Sequence, residues 1–67
     1  MIKTISFIGS GNVATQFAKA FHAEDISIVQ ILSKNFDLAN ELAIQVSAKA
    51  IAAIDNLDLS VDLIIIA

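Results

Sequence analysis

The sequence has no cysteine, which excludes a disulfide framework, a thiolate metal site and a cysteine nucleophile. A reducing, cytoplasmic setting is the matching expectation. It has no arginine, and its four lysines face seven carboxylates, for a formal net charge of -3. That balance offers no basic footprint for nucleic acid or for an anionic membrane surface, so neither partner is expected. Long hydrophobic runs are missing as well. The longest, Ala50 to Ile54 and Leu63 to Ala67, fall far short of the roughly 18 to 20 apolar residues of a membrane-spanning helix. A secretory signal is disfavoured because Gly9, Ser10, Gly11 and Asn12 break the N-terminal apolar segment too early.

What is present argues for a folded core. Leu, Ile, Val and Phe fill 26 of 67 positions, about twice the share of a disordered chain. A chain this short buries only about 60% of its unfolded surface, so it makes at most one small domain. It carries none of the disulfide or metal staples that small domains use, and is expected to be part of something larger.

Hydrophobic spacing gives the element order. Ile2, Ile5, Phe7 and Ile8 form an apolar run that predicts a strand over residues 2–8. Val13, Phe17 and Phe21 recur every four residues with Ala14 and Ala18 beside them, predicting an amphipathic helix over about 12–23. Ile26, Ile28, Val29, Ile31 and Leu32 predict a second strand. Ser33 or Asn35 can cap a second helix over about 35–46, with Asp37 in its first turn and Phe36, Ala39, Leu42, Ala43 and Val46 at helical spacing. Residues 47–54 suit either a short third strand or a helical turn, and the strand is preferred. Asp55 is expected to cap a single turn with Asp58 three positions on. Val61 to Ala67 reads as a buried final strand.

This β-α-β-α-β-β order, with strands of parallel-sheet composition, is that of a doubly wound α/β sheet of Rossmann type. Because the chain stops inside its most apolar strand, residues 1–67 are expected to be the N-terminal portion of a longer protein.

Gly9-Ser10-Gly11-Asn12-Val13-Ala14 lies where the first strand meets the first helix, so the G-x-G-x-x-A pattern has the context its mechanism requires. Gly9 would allow the tight turn, Gly11 the approach of a pyrophosphate, and Ala14 close packing of helix on sheet. The helix N-terminus would offer free N–H groups to phosphate. The plain alternative is a strand-to-helix turn with no ligand. A Walker-type loop is excluded because only one residue separates the glycines and no Gly-Lys-Ser/Thr follows.

Cofactor choice is read about 20 residues later, at the end of the second strand. An NAD site would place Asp or Glu there; this chain has Ser33-Lys34-Asn35, which welcomes a 2′-phosphate. NADP is therefore the expected cofactor, with NAD as the alternative, and Lys34 makes a weaker point-charge contact than a guanidinium. The bland reading is that Ser33 and Asn35 cap the helix while Lys34 is solvated. An S-adenosylmethionine site is disfavoured by the same two residues, Ser33 and Lys34.

The stretch Ile5 to Ala14, with Ser33-Lys34 closing the second strand, resembles the N-terminal Rossmann domain of the 6-phosphogluconate dehydrogenase-like superfamily. Its nearest-looking members are the pyrroline-5-carboxylate reductases, the deazaflavin-dependent NADP oxidoreductases and related uncharacterised Rossmann-like oxidoreductases. The resemblance implies cofactor binding by Gly9, Ser10, Gly11, Asn12, Val13, Ser33 and Lys34. It implies no catalytic residue within these 67 positions, since substrate-facing groups in that family lie after later strands and in a helical C-terminal domain that also forms the homodimer. Ala67 would lie just before a loop passing the nicotinamide. Ala14 in place of a third glycine and Lys34 in place of arginine are the departures.

The implied function is the NADP(H)-binding portion of an oxidoreductase that passes hydride between a nicotinamide and a small carbonyl or imine substrate. The alternative is a non-catalytic NAD(P)-sensing module, which would have the same fold and motif. No metal site is expected: His22, the lone histidine, reads as a helix C-terminal or surface residue. Asp55 and Asp58 are assigned no catalytic role. Asp62 is left as edge-facing or interfacial, and Ser6 reads as a core hydroxyl.

Overall fold

The computed structural model describes residues 2–67. Its elements are β1 (Thr4–Ile8), α1 (Asn12–Ala23), β2 (Ser27–Leu32), α2 (Phe36–Val46), β3 (Lys49–Ile51), a 3₁₀ turn (Ile54–Asn56) and β4 (Leu63–Ile66). All strand pairs are parallel and the sheet order is β3-β2-β1-β4. This is the doubly wound α/β arrangement expected from the element order.

Strand alternation sorts the residues into two faces. On one face Ile5 and Phe7 of β1 and Ile28 and Ile31 of β2 are buried against Ala14 and Ala18 of α1 and Ala39, Leu42, Ala43 and Val46 of α2. Leu63 and Ile65, opposite Ile5 and Phe7, pack partly onto the same core. Ser6 points to the second face, opposite Ile64 and Gln30. The Gln30 amide nitrogen donates to the Asn56 carbonyl (2.8 Å) and its oxygen accepts from the Asp58 N–H (2.6 Å). The crossover from β3 to β4 therefore runs over this second face, as a right-handed connection in the reverse direction requires.

Several boundaries differ from the sequence reading. β1 starts at Thr4, and the Lys3 and Thr4 N–H groups are taken by the Asp62 carboxylate (2.8 and 3.1 Å). In β2, Ile5 pairs with Ile28 but Ser6 with Gln30, so Val29 has no partner opposite it. That bulge places Ile28 and Ile31, three apart, on one face. In α1 the fully buried residues are Ala14 and Ala18, whereas Val13 and Phe17 are 60% and 48% exposed. Phe17 stacks instead along the helix on Phe21, with centroids 6.2 Å apart.

Asn35 is the residue that caps α2, its Oδ1 accepting from the Leu38 N–H (3.2 Å). Residues 49–51 form the preferred third strand. Asp55 does not cap the following turn: Ala53 stands at that position and Asp55 lies inside the turn. β4 is shorter than expected and is no buried strand, since Leu63, Ile64 and Ile65 are half-buried and Ile66 is exposed. It pairs only through β1, so one strand edge lies open.

Candidate nucleotide-binding site

The strand ends set the geometry of the site. Gly9 follows β1 at φ 118°, a conformation side chains rarely adopt, and a Cβ there would overlap the carbonyl oxygen of Ala67. Its N–H donates to the Leu32 carbonyl (2.7 Å), while the Ala67 N–H donates to Ile8 (2.9 Å). One glycine therefore lets the ends of β1, β2 and β4 close upon one another.

Gly11 is different. It is the N-cap of α1 with ordinary extended backbone, φ -74° and ψ -171°, and a Cβ added to it meets nothing within 4 Å. No side chain caps this helix and no acidic residue lies in its first turn. The first intrahelical bond runs from the Thr15 N–H to the Gly11 carbonyl (2.9 Å). The N–H groups of Asn12, Val13 and Ala14 thus have no intrahelical acceptor, and the helix dipole lies behind them. That arrangement suits an anion.

Ser10 and Ser33, 23 positions apart, are joined by a 2.7 Å hydroxyl hydrogen bond, Ser10 donating. Ser33 also accepts from the Asn35 N–H (3.2 Å), so its own proton is free to be donated. A cleft of about 460 Å³ lies across the strand ends, lined by Ile8, Gly9, Leu32, Ser33, Lys34, Ala52 and Ala67. Its size is that of small-ligand sites, and Lys34 is its one charged lining residue.

Of the residues singled out in the sequence, Gly9, Ser33 and Lys34 line this cleft, and Ser10 is tied to it through Ser33. Gly11, Asn12 and Val13 open α1 beside it. Ala52 was not anticipated; the only signal was a small residue directly after the third strand. Asn35 caps α2 with its side chain and donates its N–H to Ser33. Asp62, exposed beside β4, ties the start of β1, and the Lys3 and then Thr4 N–H groups hold its carboxyl below the ordinary range. Asp58 is lowered likewise, by the Ser60 hydroxyl and then the Ser60 N–H. Ser6 is buried with its hydroxyl unpaired. A second, smaller cleft of about 220 Å³ includes His22, Asp25 and Ser47 and lies at the opposite ends of the strands. Among the described residues no group of three potential metal ligands is assembled, and no helix is long and apolar enough to cross a membrane.

A parallel β3-β2-β1-β4 sheet with a glycine turn after β1 defines a Rossmann-type nucleotide-binding domain. Over residues 4–67 the chain matches, and belongs to, the family described as NADP oxidoreductase, coenzyme F420-dependent. It is similar to a candidate NADP oxidoreductase from Bacteroides fragilis, with a TM-score of 0.94 and 33% identity, covering 98% of this chain and 26% of that one. It is also similar in fold to GenD2 from gentamicin A biosynthesis, solved in complex with NAD: TM-score 0.85, 16% identity, 96% and 19% coverage. The chain thus spans about a quarter or less of the solved proteins it resembles. No curated protein matches it.

Proposed function

We propose that residues 1–67 are the N-terminal part of the NADP-binding domain of an oxidoreductase that passes hydride between the nicotinamide and a small carbonyl or imine substrate. Gly9, Ser10, Gly11, Asn12 and Val13 hold the pyrophosphate, and Ser33 and Lys34 hold the 2′-phosphate. The bound nicotinamide supplies the hydride chemistry, and this chain supplies binding and orientation. NAD is the weaker alternative, because Ser33, Lys34 and Asn35, and no carboxylate, directly follow β2 where a ribose 2′-hydroxyl would be taken. The family description favours a second reading of the hydride partner, coenzyme F420. The catalytic groups, a helical C-terminal domain and a homodimer formed through it belong to sequence beyond these residues, in a cytoplasmic protein.

One observation carries the reading. Gly11 occupies an N-cap position where Asp, Asn or Ser would be at least as good for the helix, and nothing in the protein crowds a side chain there. The absence of a side chain is explained by a phosphate that must reach the backbone. Gly11→Asp is the discriminating variant. It leaves stability unchanged or raises it by a few tenths of a kcal/mol, while the added carboxylate repels the pyrophosphate and NADPH binding in calorimetry is lost. Undiminished NADPH binding by the variant would return the glycine turn to a purely structural role.

A further inference from the structure

We infer that Gln30 is a positioning residue for the adenosine half of the dinucleotide, acting through the crossover that forms one wall of the cleft. The inference rests on the reading of the cleft as a dinucleotide site. Gln30 lies in β2 on the face opposite α1 and α2, two residues before Leu32, and it does not line the cleft itself.

The adenosine half is located by topology. The glycine turn follows β1, and the residues that read the ribose, Ser33 and Lys34, follow β2. In the order β3-β2-β1-β4 the end of β3 lies beyond β2, away from the pyrophosphate. Ala52, the first residue after β3 and a lining residue of the cleft, therefore walls the adenosine side.

Ala52 also begins the crossover, and this segment has little apolar burial to fix it. Residues 52–60 are exposed except for half-buried Leu57, and no α-helix runs through them. Its place is set by hydrogen bonds instead. At its end the Asp62 N–H and carboxylate join β1. In its middle, the Asp58 carboxylate folds the chain locally by accepting from the Ser60 N–H (2.8 Å) and hydroxyl. Between Ala52 and Asp58, the side-chain ties to the sheet are the two made by Gln30, to the Asn56 carbonyl and the Asp58 N–H. One amide, using both its donor and its acceptor, thus fixes the 3₁₀ turn over the sheet and with it the wall at Ala52. Exposed segments held by few contacts open most readily, so removing both bonds loosens this wall first.

The test uses Gln30→Met in the full-length protein, which keeps the side-chain length and volume and deletes both hydrogen bonds. Binding of 2′,5′-ADP and of nicotinamide mononucleotide is measured separately, the weaker ligand by saturation-transfer NMR. The expected result is a loss of about three- to tenfold for 2′,5′-ADP, the worth of one or two hydrogen bonds, with nicotinamide mononucleotide unchanged. Equal losses for both fragments would mark a general loosening of the fold and overturn the inference, as would unchanged 2′,5′-ADP binding. If the unsubstituted protein binds no 2′,5′-ADP, the dinucleotide reading itself fails and the role of Gln30 falls with it.

Discussion

Ala14 and Ala18 are fully buried beneath α1, while Phe17, the larger neighbour, is 48% exposed. The helix lies close on the sheet because its contact face is made of methyl groups, and bulky residues are displaced to its flanks. The consequence for stability is opposite to what side-chain size suggests. Ala18→Leu forces new atoms into a filled interface and is expected to cost about 1–3 kcal/mol. Phe17→Ala is expected to cost well below the roughly 3–5 kcal/mol of a core phenylalanine. Urea denaturation of the two variants checks this ordering, and a larger loss for Phe17→Ala would contradict it. The apolar spacing at Val13, Phe17 and Phe21 identified a helix and its general side. It could not show which residues stood at the centre of contact, because that depends on the gap between helix and sheet.

The elements themselves were legible where local chemistry decides. Short-range preferences narrowed the α2 cap to Ser33 or Asn35 and favoured a strand within residues 47–54, and the structure has Asn35 as the cap and a strand at 49–51. Long-range ties were not legible. The clamp between Asp62 and the Lys3 and Thr4 N–H groups joins residues 59 and 58 positions apart. It joins the start of β1 to the residue before β4, and no pattern near Asp62 announces it. Because those N–H groups favour the charged carboxylate, the folded-state value lies below the unfolded one. Its stabilising effect is therefore present above the unfolded value, about 3.9, and is lost as pH falls through the folded value. Asp62→Asn is expected to destabilise at pH 7 and to approach the unsubstituted protein in strongly acid solution. Denaturation midpoints of both proteins across that range measure it; a stability difference independent of pH would show that the charge contributes nothing.

At the scale of the whole molecule, the alternation of strands and helices already required parallel pairing and right-handed crossovers. The glycine turn in that frame placed the site at the carboxyl ends of the strands. The contribution of β3 to the cleft was hidden, since Ala52 carries no chemical signal and only the sheet order brings it beside Ser33 and Lys34. Gln30 was hidden for the same reason: a polar residue in an apolar strand has a partner only once the crossover is known to pass above it.

In the proposed dinucleotide site Lys34 receives a 2′-phosphate. Calorimetric titration of NADPH and, separately, NADH into the full-length protein and its Lys34→Ala variant is the decisive experiment. NADPH is predicted to bind more tightly, with the gap shrinking by roughly tenfold in the variant, the size of one charge-assisted contact. A preference for NADH, or a gap untouched by the substitution, would contradict the assignment of Lys34, and no binding of either by the folded protein would contradict the site.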